Sequence, residues 1–570
     1  MHAIALARRS YRIARSMASA VGLVVFLAGC TGPATTSTPG QDAPSARSAP
    51  RVLRLAWDRE QPTFYAGSNA AGREARDIFT AGLTYIDAAG TVQPKLAVKV
   101  PSIQDGDWNI GPDGNMEVTW ELKPGLTWHD GAPLTSEDFA FSFRLFKDPA
   151  SAFVVPTNIR LIGEVVTTSP QTIMFRYPRS YNGAHVSGPD EFPAVPRHLL
   201  DAQYAGAGAE AVTRSPFWQT GWIGLGPFKM TKYELASYIE ADAFDGFVWG
   251  RPRIDKLFIK FVLDTNALLA QALAGEIDVI PIGSFDPQHA EVLKDQWSPS
   301  GKGTVTGFLS RVRQYQWQFR DPSVPWADLR VRQAMLMAID RQSIADGVYR
   351  GITQVAHTVV LPREPLYPRL ERAGLRKYPF DRAEAERLLQ AAGWTRGADG
   401  IRRNAAGTEL RHIPSTVGSK ADELVVIVED WKSLGLRSEA FIFPTSATNE
   451  PELRAKSDST GRNGQWDSSY WNRYLRSEIA SEPRWSGANT GGYLNPAVED
   501  LHQRWIGALD PNVRSDIEVE FHKLLIDELA YLPVVYDFEL FAFRSGVAGP
   551  TAPGFEGGNT TWNIHTWTAD

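Results

Sequence analysis

Cysteine is almost absent from this 570-residue chain, which has one, Cys30. A lone thiol near the N-terminus excludes a disulfide framework, a cysteine-based zinc site and a catalytic thiol in the body that follows. The ten histidines are scattered without metal-ligand spacing, and no HExxH, GxSxG or Walker motif occurs. Basic clusters are missing from the body and the formal net charge is −6, so nucleic acid is a poor partner. The apolar run Met17 to Gly29 is too short to span a bilayer, and no internal repeat is visible. Acid pairs such as Glu137-Asp138 sit at a helix start, where dipole and capping account for them. A secreted glycan hydrolase working with two carboxylates needs no local motif, so it survives these exclusions as a minor alternative.

What is present is an ordinary globular composition, 43% hydrophobic and 22% charged, in a chain long enough for two or three domains. Residues 1–29 carry Arg8, Arg9, Arg12 and Arg15 ahead of the short apolar run, the anatomy of an export signal. Without them the chain carries about −10, since no acid precedes Cys30. Leu27-Ala28-Gly29-Cys30 resembles a bacterial lipobox, which implies that Cys30 becomes a lipidated N-terminus. Residues 30–50, rich in Thr, Ser, Pro, Ala and Gly, are expected to form a flexible tether.

The stretch Trp120 to Pro149 is the part that organises the rest. Met116, Val118, Trp120 and Leu122 alternate with polar residues, the period of a half-buried strand. Lys123-Pro124-Gly125 and His129-Asp130-Gly131 then make turns. Thr135 with Asp138 predicts a capping box opening a helix with Phe139, Phe143 and Phe146 on one face, stopped at Pro149. The wording L-K-P-G-L-T-W-H-D-G-A-P-L-T-S-E-D closely resembles the signature of the peptide/nickel-type (family 5) solute-binding proteins of ABC importers.

Further segments resemble that family in order. They include Gly224-Leu225-Gly226-Pro227-Phe228, Leu268 to Val279, Val331 to Arg341 (V-R-Q-A-M-L-M-A-I-D-R) and Ser486 to Pro496. The glycines of the first are best explained by backbone geometry or close packing. Asp77 to Leu83 reads as a short helix, Asp381 with Glu384 and Asn495 with Pro496 as helix starts, and Leu532 to Tyr536 as a closing strand. The family's usual Leu-Asp-Pro after the first strand is replaced by Asp58-Arg59-Glu60-Gln61-Pro62.

The resemblance implies an α/β, periplasmic-binding-protein-like type II (cluster C) fold, two lobes with a hinge and an extra subdomain inserted in lobe I. Expected boundaries are lobe I at 51–95, 221–305 and 531–570, its insert at 96–220, and lobe II at 306–530, with hinge crossings near 305 and 530. It also implies a monomeric receptor without cofactor or catalysis. Such a receptor takes peptides or other small solutes, hands them to a permease and ATPase complex, and is held to the membrane by its lipid. A surface receptor without transport shares every motif.

Candidate ligand residues follow from the same resemblance. Asp467 is either the partner of a peptide amine or a turn-capping residue. Where the family's acid is expected after Trp471, the chain offers Asn472 and Arg473; Arg473 could meet a ligand carboxylate or form a surface ion pair. Trp57, Trp317, Trp466, Trp471, Trp485 and Tyr493 are core aromatics singly, yet together suit apolar peptide side chains or sugar rings, keeping an oligosaccharide receptor as the alternative. Asn489 is included as a loop-folding residue beside the expected pocket.

Overall fold

The alternating run after Arg51 forms β1 (Val52–Trp57), with Leu53, Leu55, Ala56 and Trp57 buried. The computed structural model describes residues 50–60, 63–64, 70–153, 155–444, 451–483, 485, 487–552 and 558–570. Cys30, the expected signal at 1–29 and nearly all of the expected tether lie outside them. Among the described residues no helix is long and apolar enough to cross a membrane.

Helix α1 (Ala70–Phe79) follows β1, so the helix expected from Asp77 to Leu83 ends where it was to begin. Residues 80–83 carry no regular structure, and the Gly224–Gly226 turn lies against Ile78, Phe79 and Thr80 at the helix end. The insert then builds a separate antiparallel sheet from β2 (Trp108–Ile110), β3 (Met116–Glu121), β4 (Glu164–Ser169) and β5 (Thr172–Tyr177), in the order β2-β3-β5-β4. Helix α2 (Ser136–Lys147) packs beside it, with both halves of the Thr135/Asp138 capping box formed. Its buried face is Phe139, Phe141, Leu145 and Phe146. Phe143 is only half-buried, under the Lys147 ammonium at 5.6 Å, because the helix is covered on two sides instead of along one stripe.

The chain returns to the main sheet through β6 (Phe228–Glu234), β7 (Tyr238–Ala243), β8 (Lys256–Phe261) and β9 (Val279–Ile280). It then enters the 15-residue β10 (Gly303–Trp317). Lobe II adds β11 (Pro414–Val417), α3 (Ala421–Leu434), β12 (Phe441–Phe443), β13 (Ser459–Gly464), α4 (Pro496–Gly507) and α5 (Pro511–Asp527). The 14-residue β14 (Tyr531–Arg544) closes the sheet.

All of these strands form one ten-stranded sheet, β12-β11-β13-β10-β14-β9-β1-β8-β7-β6. The two long strands pair antiparallel from Gly303↔Arg544 to Gln316↔Tyr531, with register shifts between Leu309 and Arg311 and between Val312 and Gln314. Strand β9 attaches to the Ala542–Phe543 end of β14, and β13 to the Val312–Trp317 end of β10. Each lobe thus grips one end of the same pair, about 45 Å long at the rise of a strand. The first irregularity falls between the two grips and the second at the start of the lobe II grip, and at such shifts a sheet bends and twists most readily.

Glycines 224 and 226 are required by close approach. A Cβ at Gly224 would meet the Phe79 carbonyl oxygen, and one at Gly226 would stand 2.4 Å from the Phe79 carbonyl carbon. His129, from the W-H-D-G turn, fastens the insert to this loop. The Gly224 N–H donates to Nδ1 at 3.1 Å and Nε2 lies 3.0 Å from the Gly226 carbonyl, which fixes a neutral imidazole protonated at Nε2.

Insert and lobe II also meet directly. The Asn182 backbone N–H donates to Ile506 O at 2.9 Å, and its Nδ2 to Trp505 O at 2.5 Å. The Arg160–Glu478 ion pair at 2.8 Å and the Arg179–Gln503 hydrogen bond at 3.0 Å lie further out. The outer pair is solvent-screened and contributes at most about 1 kcal/mol, so the buried Asn182 carries the clasp. Asn182→Ala is expected to weaken closure by about 1–2 kcal/mol, a five- to thirtyfold shift toward open forms. Small-angle scattering of the ligand-free protein would show an enlarged radius of gyration, whereas Arg160→Ala would leave it nearly unchanged.

Candidate functional site: the interlobe hinge and the end of β13

At the crossing of β10 and β14 a chain of charged groups is stacked through the sheet. Arg313 donates to Glu423 of α3 from Nε and Nη2, both at 3.1 Å, and the side chains are 3% and 1% exposed. The hydroxyls of Tyr315 (3.1 Å) and Tyr349 (2.7 Å) donate to the same carboxylate. Arg313 Nη1 donates to Asn463 Oδ1 at 2.8 Å, and Asn463 Nδ2 to Asp537 at 3.0 Å. Lys420 closes the series onto Asp537 at 3.1 Å, and Arg311 pairs with Glu539. Burial opposes the Asp537 carboxylate, but the charges of Lys420, Arg311 and Arg313 outweigh it and hold its pKa below the ordinary value. The network therefore spans β10, β14, β13 and α3 and ties the lobe II end of the long strands to the point where they bend.

The sequence reading missed Arg313, Glu423, Asn463 and Asp537. A signal existed: charges at inward positions of an otherwise apolar strand, such as Asp537 in V-V-Y-D-F-E-L, require a buried partner. What no local pattern could supply was the partner's identity, since Arg313 and Glu423 are brought together by tertiary packing alone.

Of the expected ligand residues, several are enclosed in packing. Trp57 is 1% exposed and stacks on Phe261 at 6.2 Å. Trp317 ends β10 at the far side of lobe II, fully buried against His412. Trp471 is fully buried with its ring stacked 3.7 Å from Phe521 and packed on Trp505. These three are therefore core residues, correcting the expectation of ring faces open to ligand; a ring buried on both sides has no face to offer. Asn489 is buried too, its amide donating to Leu475 O and Tyr493 O while Oδ1 accepts from Tyr493 N, so it folds the 475–493 loop. The Tyr493 hydroxyl donates to Glu528 at 2.5 Å, which places that tyrosine in the lobe II core as well.

The others keep exposed surface. Trp466 is half-buried over Tyr470, Trp471, Phe521 and His522. Asp467 accepts from Ser469 N (2.8 Å), Ser469 Oγ (2.5 Å) and Gln465 Nε2 (2.7 Å), the turn-closing arrangement. Trp485 lies between Arg320 and Lys456, 5.7 and 5.5 Å from its ring, on a backbone at φ 53°, a left-handed conformation unusual for a bulky residue. The Arg473 guanidinium lies over the Tyr470 ring at 5.1 Å and donates to the Asn463 carbonyl at 3.0 Å. The structure thus brings Trp466, Asp467 and Arg473 together at the end of β13, beside the hinge network, and puts Trp57 and Trp317 elsewhere. Among the described residues no group of His, Cys, Asp and Glu could hold a metal ion.

Two lobes strung on one pair of bent strands, with polar groups gathered at the bend, define a hinged two-lobe binding-protein fold of the periplasmic type II class. The family model for "bacterial extracellular solute-binding proteins, family 5 Middle" matches residues 92–479, and the chain belongs to that family. A putative ABC transporter peptide-binding protein of Brucella abortus is 27% identical over 317 residues, 55% of this chain and 56% of that protein, so the match spans about half of that relative's length. The oligopeptide-binding protein AppA of Bacillus subtilis is 25% identical over 75% of this chain and 76% of its own. Its solved structure with a nonapeptide superposes with a TM-score of 0.75 at 20% identity, covering 92% of this chain and all of that one. NikZ of Campylobacter jejuni, solved with Ni(L-His), superposes with the same TM-score at 21% identity, covering 91% of this chain and 99% of that one.

Proposed function

We propose that this protein is the solute-binding receptor of an ABC importer, capturing peptides or peptide-like solutes between its lobes and delivering them to a permease and ATPase complex. The observation that carries the reading is the hinge: two lobes share one strand pair, irregular at its crossing and clasped at the rim by Asn182. Lobes joined this way can close on a solute and reopen. The relatives, among them a putative peptide-binding protein and an oligopeptide-binding protein, favour peptides. Burial of Trp57, Trp317, Trp471 and Tyr493 removes most of the ring faces that an oligosaccharide would use. The protein acts as a monomer, binds without chemical turnover, and is anchored through a lipid on Cys30 to a membrane of the cell envelope, facing the periplasm or the extracellular side.

Mass spectrometry of whatever co-purifies, paired with thermal-shift titration, tests the substrate. A ligand that binds only the folded state stabilises it by about 2.7 kcal/mol at one hundred times its Kd. Peptides released on denaturation, with a concentration-dependent shift from a peptide mixture, are the expected result. Released glycans, or a shift from oligosaccharides alone, would overturn the peptide assignment. For the anchor, Cys30→Ala is expected to move the protein from the membrane fraction to the soluble one, and retention in the membrane would refute it.

A further inference from the structure

The seam between the insert and lobe II is built from one helix face and one loop. On α4 the spacing of His502, Trp505 and Ile506 puts all three on one side, and the carbonyls of Trp505 and Ile506 accept the Asn182 clasp. The loop that carries Asn182, Y-N-G-A-H, ends at His185, whose ring stacks on Trp108 of β2 at 5.7 Å. His502 lies against Trp471 at 5.4 Å and Trp505 at 6.2 Å. The clasp therefore has one imidazole from the insert and one from lobe II beside it, both half-buried.

Each imidazole faces arginine from the opposite side. Arg160 and Arg179 of the insert act on His502, and Arg514 of α5 acts on His185. Arg179 donates to Gln503, the residue next to His502, at 3.0 Å, so it meets an amide and not a carboxylate. The acids of the seam are committed elsewhere. Glu478 is held by Arg160 at 2.8 Å, Glu499 accepts the Arg476 backbone N–H, and Glu518 accepts the Trp505 indole N–H at 2.9 Å. Further out, Asp500 and Glu520 face Arg504, and Asp516 pairs with Arg369. Glu518 also faces Arg514 and Arg369, but burial raises its pKa, so acid removes this counter-charge early. The Asn182 carbonyl favours a His185 cation, yet burial and Arg514 outweigh it and lower the pKa. Burial, then Arg179 and Arg160, lower His502 to about 4. Opening the seam parts each imidazole from the arginines opposite and admits water, so the open form takes up protons that the closed form refuses.

We propose that the seam is an acid-sensitive latch, in which protonation of His185 and His502 sets like charges against Arg514, Arg160 and Arg179 and releases the Asn182 clasp. The protein then keeps its lobes closed at neutral pH and opens in mildly acidic surroundings, giving up a solute held between them. That consequence for a solute rests on the receptor reading, whereas the latch itself needs only the two lobes. A pKa lowered in the closed form favours closure above about pH 6.5 and withdraws that support as pH falls toward 4. Full recovery of an ordinary pKa by His502 on opening would favour the open form about thirtyfold at pH 5. Trp471 and Trp505 stay with it in lobe II and keep part of the burial, so about tenfold is expected for the two histidines together.

The test uses the full chain with Cys30→Ala and no solute. Small-angle scattering is recorded in the cold at pH 7.5, 6 and 5, with far-UV circular dichroism of the same samples. Asn182→Ala on this background is the open reference, with an enlarged radius of gyration at every pH. Without it, the radius should be that of the closed form at pH 7.5 and move most of the way to the reference by pH 5, with unchanged dichroism. Adding His185→Gln and His502→Gln together should keep the closed radius at pH 5. Should that variant fail to fold, Arg179→Gln with Arg514→Gln removes facing charges instead and should at least halve the acid response. A radius constant down to pH 5, or an acid response that survives intact in whichever variant folds, would overturn the latch. So would an increase that appears only with loss of dichroism, because the histidines would then act on folding, as His412 and His522 do inside lobe II. Failure of both variants to fold would show that these groups hold structure instead of switching it, and would overturn the proposal as well. An Asn182→Ala radius no larger than the closed one at pH 7.5 would do the same, since the clasp would hold nothing. None of these outcomes touches the receptor reading, which the peptide titration decides separately.

Discussion

Glu423→Ala is expected to be among the most damaging single substitutions in lobe II, lowering its stability by about 3–5 kcal/mol, the usual effect of orphaning a buried charge. Alanine would leave the Arg313 guanidinium enclosed without its counter-charge and the hydroxyls of Tyr315 and Tyr349 without their acceptor. The separate penalties do not simply add, because the remaining groups can rearrange toward one another. Glu423→Gln keeps the volume and one acceptor oxygen and should be intermediate. A double substitution, Arg313→Met with Glu423→Leu, should recover much of the loss, since buried ion pairs are often no better than an apolar replacement of similar size. Urea denaturation followed by the tryptophan fluorescence of lobe II, where Trp431 lies on the same helix, would read the order of these midpoints. If Glu423→Ala unfolded at the wild-type midpoint, the pair would contribute nothing and the hinge network would need another anchor.

Acid should unfold the protein well before its carboxylates are fully protonated, because histidines are buried in neutral form. His412 stands among Trp317, Trp326 and Trp431 with only a Ser459 hydroxyl on Nε2, and burial lowers its pKa to about 3. His522, beneath Trp466 and beside Phe521, has no hydrogen-bond partner on either nitrogen, and burial brings it to about 3 as well. Burial also lowers His129 to about 4. A folded pKa below the unfolded one means that the unfolded chain gains protons that the folded one refuses. The stabilisation is present above about pH 6.5 and is lost as pH falls toward 4–3. At pH 5 each of these three costs about 2 kcal/mol, or about 6 kcal/mol together.

Buried acids act in the opposite sense. Glu74 accepts from the backbone of Thr560 and Thr561, and burial raises its pKa to about 7, which favours the folded state below pH 4.5 and weakens it as pH rises through 7. Between pH 7.5 and pH 5 this returns about 2 kcal/mol, and Glu191, also raised by burial, acts in the same direction. The histidines outweigh Glu74 below pH 6, so melting temperature should be nearly level from pH 7.5 to 6 and fall steeply below. His522→Phe should raise stability at neutral pH by about 1–2 kcal/mol, by removing an unsatisfied buried imidazole, and should flatten the acid limb. A melting temperature independent of pH down to 4.5 would show that these histidines are hydrated and protonated in the folded state.

Much of the fold was legible in the chain because it is written in short-range terms. Asp381 and Asn495 cap the helices that their positions announce, each accepting a backbone N–H of the first turn. Val331, Met335, Ala338 and Ile339 are all buried, as their helical spacing requires. Likewise, the close-packed reading of Gly224 and Gly226 needed only the knowledge that nothing larger suits such a turn.

The candidate site was less legible, for a definite reason. A tryptophan's identity says that it seeks burial or a partner but not which, so Trp57, Trp317 and Trp471, chosen for their ring faces, were claimed by the core. Arg473 carried a local hint through its place after the aromatic run, whereas Arg313 carried no hint of Glu423 as its partner, because tertiary packing alone brings them together. Local sequence determined the strands, caps, turns and family of this protein, since these depend on spacing and backbone geometry within a few residues. Only the tertiary structure decided which charges are balanced and which are left open, because Coulomb interactions act through space between residues more than one hundred positions apart, as Arg313 and Glu423 are.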